Sequence, residues 1–162
     1  MQHTDSRVAA MIAAECLGSR VSRLHRLIAR RFEQALAPTG LTLPQLEVLT
    51  SLIVIGEPQR PRSLADLLGV ERSTMSRNLD ALEGAGLVAV AARSPTGRAM
   101  RFVITDKGRN AERQAEQAWR TVQDELLANL GKDAPGTIDS WLEQIASTPT
   151  PETTKRAPDE AG

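Results

Sequence analysis

The sequence predicts a mainly α-helical fold with one short two-stranded ribbon and long helices toward both ends. Three observations predict it. Aliphatic residues recur at steps of three and four through most of the 162 residues, the spacing of helices that bury one stripe. The pattern is cut once, inside LADLLGVERSTMSRNL (Leu64–Leu79), where Gly69, Val70 and Glu71 separate a pair of runs that could have made a single helix. Between Val88 and Thr105 the period changes from that of helices to that of strands.

The chain length suits one domain with a proper core. With two Phe, two Trp and no Tyr, that core must be aliphatic. Met11, Ala14, Leu17, Val21, Leu24, Ile28, Phe32 and Ala35 form a first helical stripe that Pro38 and Gly40 end. As one helix it would be roughly 40 Å long, more than a small domain covers, so a second copy of the chain is expected over it. In LTLPQLEVLTSLIV, Thr42 and Gln45 have capping-box spacing and Leu46, Leu49 and Leu52 supply the buried face. Ser63 and Asp66 repeat that spacing before the cut pair, in which Leu64, Leu67 and Leu68 and then Met75, Leu79 and Leu82 form stripes. Gly84 and Gly86 end the second helix of the pair. VAVAAR (Val88–Arg93) and RFVIT (Arg101–Thr105) then read as strands, joined through SPTGRAM into a hairpin with a basic tip. Thr105 caps a long helix carrying Ala111, Ala115, Trp119, Val122, Leu126 and Leu130. After Gly131 and Pro135 a last helix carries Ile138, Trp141, Leu142 and Ile145, and residues 148–162 read as a disordered tail.

The formal net charge is zero, which argues against a protein that simply coats nucleic acid. The charge is nevertheless polarised: seven arginines against four acids from Arg60 to Arg101, and ten acids against five bases from Ala111 onward. The lone Cys16 cannot form an intramolecular disulfide, and no run approaches the ~18 apolar residues of a membrane span. A cytoplasmic protein with no membrane partner is the expectation.

Two short helices around a tight glycine turn let the first brace the second, which then stands out from the body. This is the helix-turn-helix arrangement, whose second helix fits the DNA major groove. Ala65 permits close crossing, Gly69 occupies the turn, and the outer face keeps Ser73, Thr74, Ser76, Arg77 and Asn78. Arginine can bond two acceptors of guanine, asparagine can do so with adenine, and hydroxyls adapt to either. An ordinary helical corner has the same apolar pattern, so the hairpin matters: as a wing, it brings Arg98 within reach of the minor groove.

From about Cys16 to Leu130 the sequence resembles the MarR family of winged helix-turn-helix transcriptional regulators. The likeness is carried by LAPTGLTLPQLEVL, SLADLLGVERSTMSRNLDALEGAGLV and RSPTGRAMRFVITDKGR. The resemblance implies a homodimer built from residues 5–36 and 106–147, with a winged helix-turn-helix over 41–105. It implies a repressor that binds double-stranded DNA at a palindromic operator and is released by a small ligand. By matched position Ser73, Thr74, Ser76 and Arg77 read the major groove and Arg98 the minor groove. The family usually has an acid two residues before the wing arginine; Thr96 stands there in this chain, so an anchoring charge-assisted bond is lost.

Other residues carry chemistry of their own. Leu24, His25, Ile28, Leu46 and Leu49, with Arg109 and Arg113, converge on the expected hinge between dimer helices and reading domain, and suit a small aromatic or anionic effector. Cys16 admits an alternative, a thiol-based redox sensor, as some family members are; Arg20 lies one turn away, but no tyrosine is present to support a thiolate. A winged helix that binds another protein is a further alternative. Two histidines and one cysteine do not make a metal site, and no cofactor is expected. No glycine-rich phosphate loop, HExxH, CxxC or G-x-S-x-G is present, so nothing suggests an enzyme.

Overall fold

The computed structural model describes residues 2–93 and 100–148. The order is α1 (Gln2–Glu15), α2 (Leu17–Leu36), a short 3-10 turn (Ala37–Thr39), α3 (Leu43–Ile55), α4 (Pro61–Leu68), α5 (Arg72–Gly84), β1 (Val88–Arg93), β2 (Met100–Ile104), α6 (Asp106–Leu130) and α7 (Ala134–Ser147). The chain divides into two compact units, one ending at Gln123 and one beginning at Asp124. Residues 94–99, with Thr96 and Arg98, lie outside the described residues, as does the expected tail beyond Thr148.

In the first unit, the single first helix expected from the apolar stripe is two helices. Cys16, with φ −61° and ψ 108°, breaks it. The Cys16 amide still donates to Ile12 O, and the Cys16 carbonyl accepts from Arg20 N–H, so the helical hydrogen bonding resumes one turn on. Gly18, beside the break, weakens the helix where it opens.

α3 starts on a complete capping box. The Thr42 hydroxyl accepts from Gln45 N–H at 3.4 Å, and Gln45 Oε1 accepts from Thr42 N–H at 3.0 Å. The second expected capping box does not form. α4 begins three residues earlier, at Pro61, whose fixed φ suits the first helical position, and Arg60 is its N-cap. Ser63 therefore lies inside the helix, and Asp66 pairs with Arg62 at 3.7 Å on the surface.

The core is aliphatic, as the composition requires. Leu36, Val48, Leu49, Leu64 and Met75 have no exposed surface, and Ala65, Leu79 and Leu82 are 1% exposed. Leu67, expected in the stripe of α4, points outward and Ala65 takes the buried place. The small side chain brings α4 close against α5, whose Met75 and Leu79 seal the contact.

β1 and β2 pair antiparallel, with Val88 opposite Ile104 and Val90 opposite Phe102, and with an irregularity between Val90 and Ala92. A third segment joins this ribbon. Gln59 and Phe102 exchange both backbone hydrogen bonds, at 2.9 and 2.8 Å, and buried Phe102 anchors the ribbon in the core.

α6 starts where sequence spacing placed it. Thr105 Oγ1 accepts from Gly108 N–H at 3.0 Å and donates toward Gly86 O at 2.8 Å. Lys107 Nζ donates to Ala85 O at 2.7 Å, capping the end of α5. Gly108 is buried against Leu87, so closely that a Cβ there would stand 2.1 Å from Leu87 O.

In the second unit α6 ends at Leu130, Gly131 takes φ 97°, and α7 starts with Pro135 in its first turn. Thr137 Oγ1 donates to Asp133 O at 3.1 Å. α7 leaves Trp141, Leu142 and Ile145 exposed.

Candidate nucleic-acid interface

The turn between α4 and α5 is set by Gly69, whose φ of 63° lies in the left-handed region that costs other residues energy. Its N–H and that of Val70 both donate to Ala65 O, closing α4 and turning the chain sharply into α5. Glu71 is the N-cap of α5, yet its side chain caps nothing. The first-turn amides of α5 are thus left without a side-chain acceptor, at the positive end of the helix dipole.

With Met75, Leu79 and Leu82 buried, the opposite face of α5 is fixed by helical geometry. Ser73, Thr74, Ser76 and Arg77 are all exposed on it. Asn78 is half-buried and stands at the flank of this face. The Arg77 guanidinium lies back along the helix: Nε donates to Ser73 O at 3.2 Å and Nη2 to Ser73 Oγ at 3.5 Å. Both bonds are on the surface, so the group is pre-aligned and can still be released to a stronger acceptor.

Two further cations stand outside the expected contact set. Arg72 opens α5 and is exposed beside the uncapped amides. Arg101, on the ribbon, donates from Nη1 to Pro58 O at 3.2 Å, tying the ribbon to the loop before α4. The pairing of Gln59 with Phe102 also brings that loop to the ribbon, and no local pattern announces it.

The residues expected around an effector differ in burial. Leu49 is fully buried in the core, Leu24 is 39% exposed, and Ile28 and Arg109 are half-buried. Arg113 is exposed and hydrogen-bonded to Asn110 Oδ1. A cavity of about 440 Å³ is lined by Leu43, Leu46, Glu47, Thr50, Ser51, Leu68, Glu112, Glu116 and Trp119. Of the expected set only Leu46 lines it. His25 is close enough to Glu47 to act on it electrostatically; partial burial holds the Glu47 carboxyl above the usual carboxylate range, and His25 works against that rise.

Cys16 has donors that the sequence did not disclose. The break makes Cys16 the N-cap of α2, with Gly18, Ser19 and Arg20 in the turn that follows it. The polar groups of Ser19 foremost, with smaller contributions from the Gly18 amide and the Arg20 charge, lower the thiol below its ordinary range. The influence on the thiol therefore comes from Ser19 and its neighbours at the start of α2 rather than from a tyrosine.

A braced helix with an outward face of hydroxyls and arginine, next to an antiparallel ribbon anchored in the same core, defines a winged-helix DNA-binding protein. Comparisons with known proteins agree. The sequence profile of the MarR family matches residues 41–94. The chain is 30% identical over 135 residues to the HTH-type transcriptional repressor Mb2911 of Mycobacterium bovis, spanning 81% of this chain and 94% of the relative. Among solved structures, that of the M. tuberculosis transcriptional regulator MosR in complex with DNA is similar, with 34% identity and a TM-score of 0.71, over 82% of this chain and 96% of that one. So is the transcriptional repressor CouR bound to p-coumaroyl-CoA, with 32% identity and a TM-score of 0.71, over 84% and 95% of the two chains. The chain belongs to the MarR family of transcriptional regulators.

Proposed function

We propose that this protein is a homodimeric repressor that occupies a palindromic operator in the cytoplasm and is released by a small aromatic effector. The observation that carries the reading is the outer face of α5: four exposed donors, Ser73, Thr74, Ser76 and Arg77, on a helix whose other side is locked into the core. Side chains of those types on a rigid helix can read base edges, while the uncapped amides and Arg72 hold phosphates. Residues 41–105 form the reading part in this proposal.

Dimerisation is assigned to residues 5–36 and 106–147. α1 and α2 expose Met11, Ile12, Leu17, Val21 and Leu27, each more than half exposed, and α7 exposes Trp141, Leu142 and Ile145 likewise. Apolar faces of that extent call for a covering surface, and a second copy of the chain supplies one. Two reading helices then meet successive major grooves about 34 Å apart.

The test is a mobility shift on the DNA flanking the protein's own gene. Specific binding that weakens steeply as salt rises supports the proposal through counterion release. Binding to no duplex, or salt-independent binding to a protein partner, overturns it.

A second reading, thiol-based control, is favoured by the donors around Cys16. If wild-type protein leaves DNA under mild peroxide and Cys16→Ser stays bound, that reading replaces ligand control. If both stay bound, it fails.

A further inference from the structure

The cavity beside α3 and α6 carries a polarity of its own. Its floor is apolar, with Leu46 from α3, Leu68 from the end of α4, and Trp119 from α6. Its polar lining is Glu47, Thr50 and Ser51 on α3, and Glu112 and Glu116 one turn apart on α6, so that its charged groups are all acidic. No Arg, Lys or His lines it. Glu116 is paired with Arg120 at 2.5 Å, and His25 acts on Glu47. Glu112 is half-buried and has no ion-pair partner among the described residues.

We infer that this cavity takes a cationic amphiphile, an organic amine with an aromatic or branched apolar body, as the effector of the regulator. The inference rests on the regulatory reading above and specifies the chemistry of its ligand. An ammonium group seated between Glu112 and Glu47 gains charge-assisted hydrogen bonds from carboxylates already gathered there. The apolar body covers Leu46 and Leu68, and the Trp119 ring offers a face that attracts a cation. A carboxylate ligand meets repulsion in the same place, with no cation in the lining to answer it. The size fits as well: about 440 Å³ lies in the range of cavities that enclose small organic molecules. The partial burial that raises the Glu47 carboxyl is the cost of keeping an acid at such a wall, and a bound cation offsets it.

The position also links the cavity to DNA reading. Leu68 is the last residue of α4, next to Gly69, and α4 is the helix that braces α5. A ligand that fills the space between Leu68 and Trp119 acts on the brace of the reading helix. It weakens DNA binding to the extent that it favours a shifted brace.

The experiment is titration calorimetry on the full-length protein with three probes of equal length, 4-phenylbutylamine, 4-phenylbutanol and 4-phenylbutyrate. The amine is expected to bind at least about tenfold more tightly than the alcohol or the acid, the ratio that one charge-assisted hydrogen bond supplies. Glu112→Gln, a surface-accessible change whose folding is checked by its melting curve, is expected to erase most of that ratio, and Glu112→Asp to retain part of it. An alcohol or acid that binds as well as the amine overturns the inference, as does an unchanged ratio in Glu112→Gln or no binding of the amine at millimolar concentration. The amine is then added to the protein–DNA complex: release supports its role as effector, and retention at saturating amine overturns that role. Failure of the protein to bind DNA at all refutes the regulatory reading separately, because the calorimetry requires no DNA.

Discussion

Gly108→Ala is the substitution for which the structure sets the sharpest expectation. In an open helix the change would stabilise by about 1 kcal/mol, because alanine is the better helix former. Here the added Cβ would stand 2.1 Å from Leu87 O, 2.8 Å from Ile104 Cγ1 and 3.0 Å from Leu87 C. Ordinary contact needs more than an ångström of additional space beyond the first of these distances, and two of the three atoms are backbone. To make room, α6 must pull away from Leu87. That movement strains Thr105 N–H to Leu87 O at 3.1 Å, Thr105 Oγ1 to the same carbonyl at 3.1 Å, and Lys107 Nζ to Ala85 O at 2.7 Å. Overpacking of this kind costs about 1–3 kcal/mol, and each lost hydrogen bond about 1 kcal/mol. After the propensity gain the net loss is about 2–4 kcal/mol. For a chain of this size that lowers Tm by roughly 5–15 °C. Thermal melting followed by circular dichroism reads it directly, and DNA affinity should fall in parallel, because the same junction holds the end of α5 and the base of the ribbon. A variant melting within about 2 °C of wild type, with unchanged DNA binding, would refute the view that this junction positions the reading elements.

Four further outcomes are expected. Arg77→Ala should cost about 1–3 kcal/mol per half-site and relax preference at particular base positions; if specific and random duplexes weaken equally in a competition assay, Arg77 touches only phosphate. Trp141→Ala should weaken self-association at least about tenfold, since covering such a side chain stabilises by about 1.5–3 kcal/mol, and sedimentation at a series of concentrations reads this; an unchanged mass distribution removes α7 from the dimer contact. Glu47 has a raised carboxyl, so its favourable contribution is complete below its unfolded value and is lost as pH rises through the native one. Glu47→Gln should therefore melt at or above wild type near neutral pH, with the advantage shrinking in acid; a variant clearly less stable at neutral pH contradicts the desolvation argument. The Cys16 thiol, lowered by Ser19 and its neighbours, should react with a disulfide reagent near neutral pH faster than free cysteine does, and a slower rate would show that the donors do not reach the sulfur.

Much of this architecture was legible in the chain itself because it is governed by local physics. The cut at Gly69, the Thr42–Gln45 box, the cap at Thr105 and the buried face of α5 depend on residues within a turn or two of one another. Period and capping chemistry therefore locate the reading helix and its outward side chains without tertiary information. Where a local rule had two solutions, the sequence chose less well. Ser63 and Pro61 could each open α4, and the fixed φ of proline prevailed. Leu67 fits the stripe by spacing yet lies outward, while Ala65 is buried at the crossing as expected.

The cavity beside α3 and α6 and the thiol environment belong to another class. A break of one residue at Cys16 leaves the apolar stripe almost undisturbed, so periodicity reads through it, yet that break puts Cys16 at the start of a new helix, where Ser19 and Gly18 act on the thiol. The cavity draws Glu47, Leu68 and Glu112 from helices far apart in sequence, and hydrophobic spacing reports which residues are buried without reporting which walls face each other. The amino-acid sequence by itself determined that α5 turns Ser73, Thr74, Ser76 and Arg77 outward, because a helix that buries one face must expose the other. Only the tertiary structure decided the charge of the cavity wall beside it, because that charge depends on how α3 and α6 are brought together.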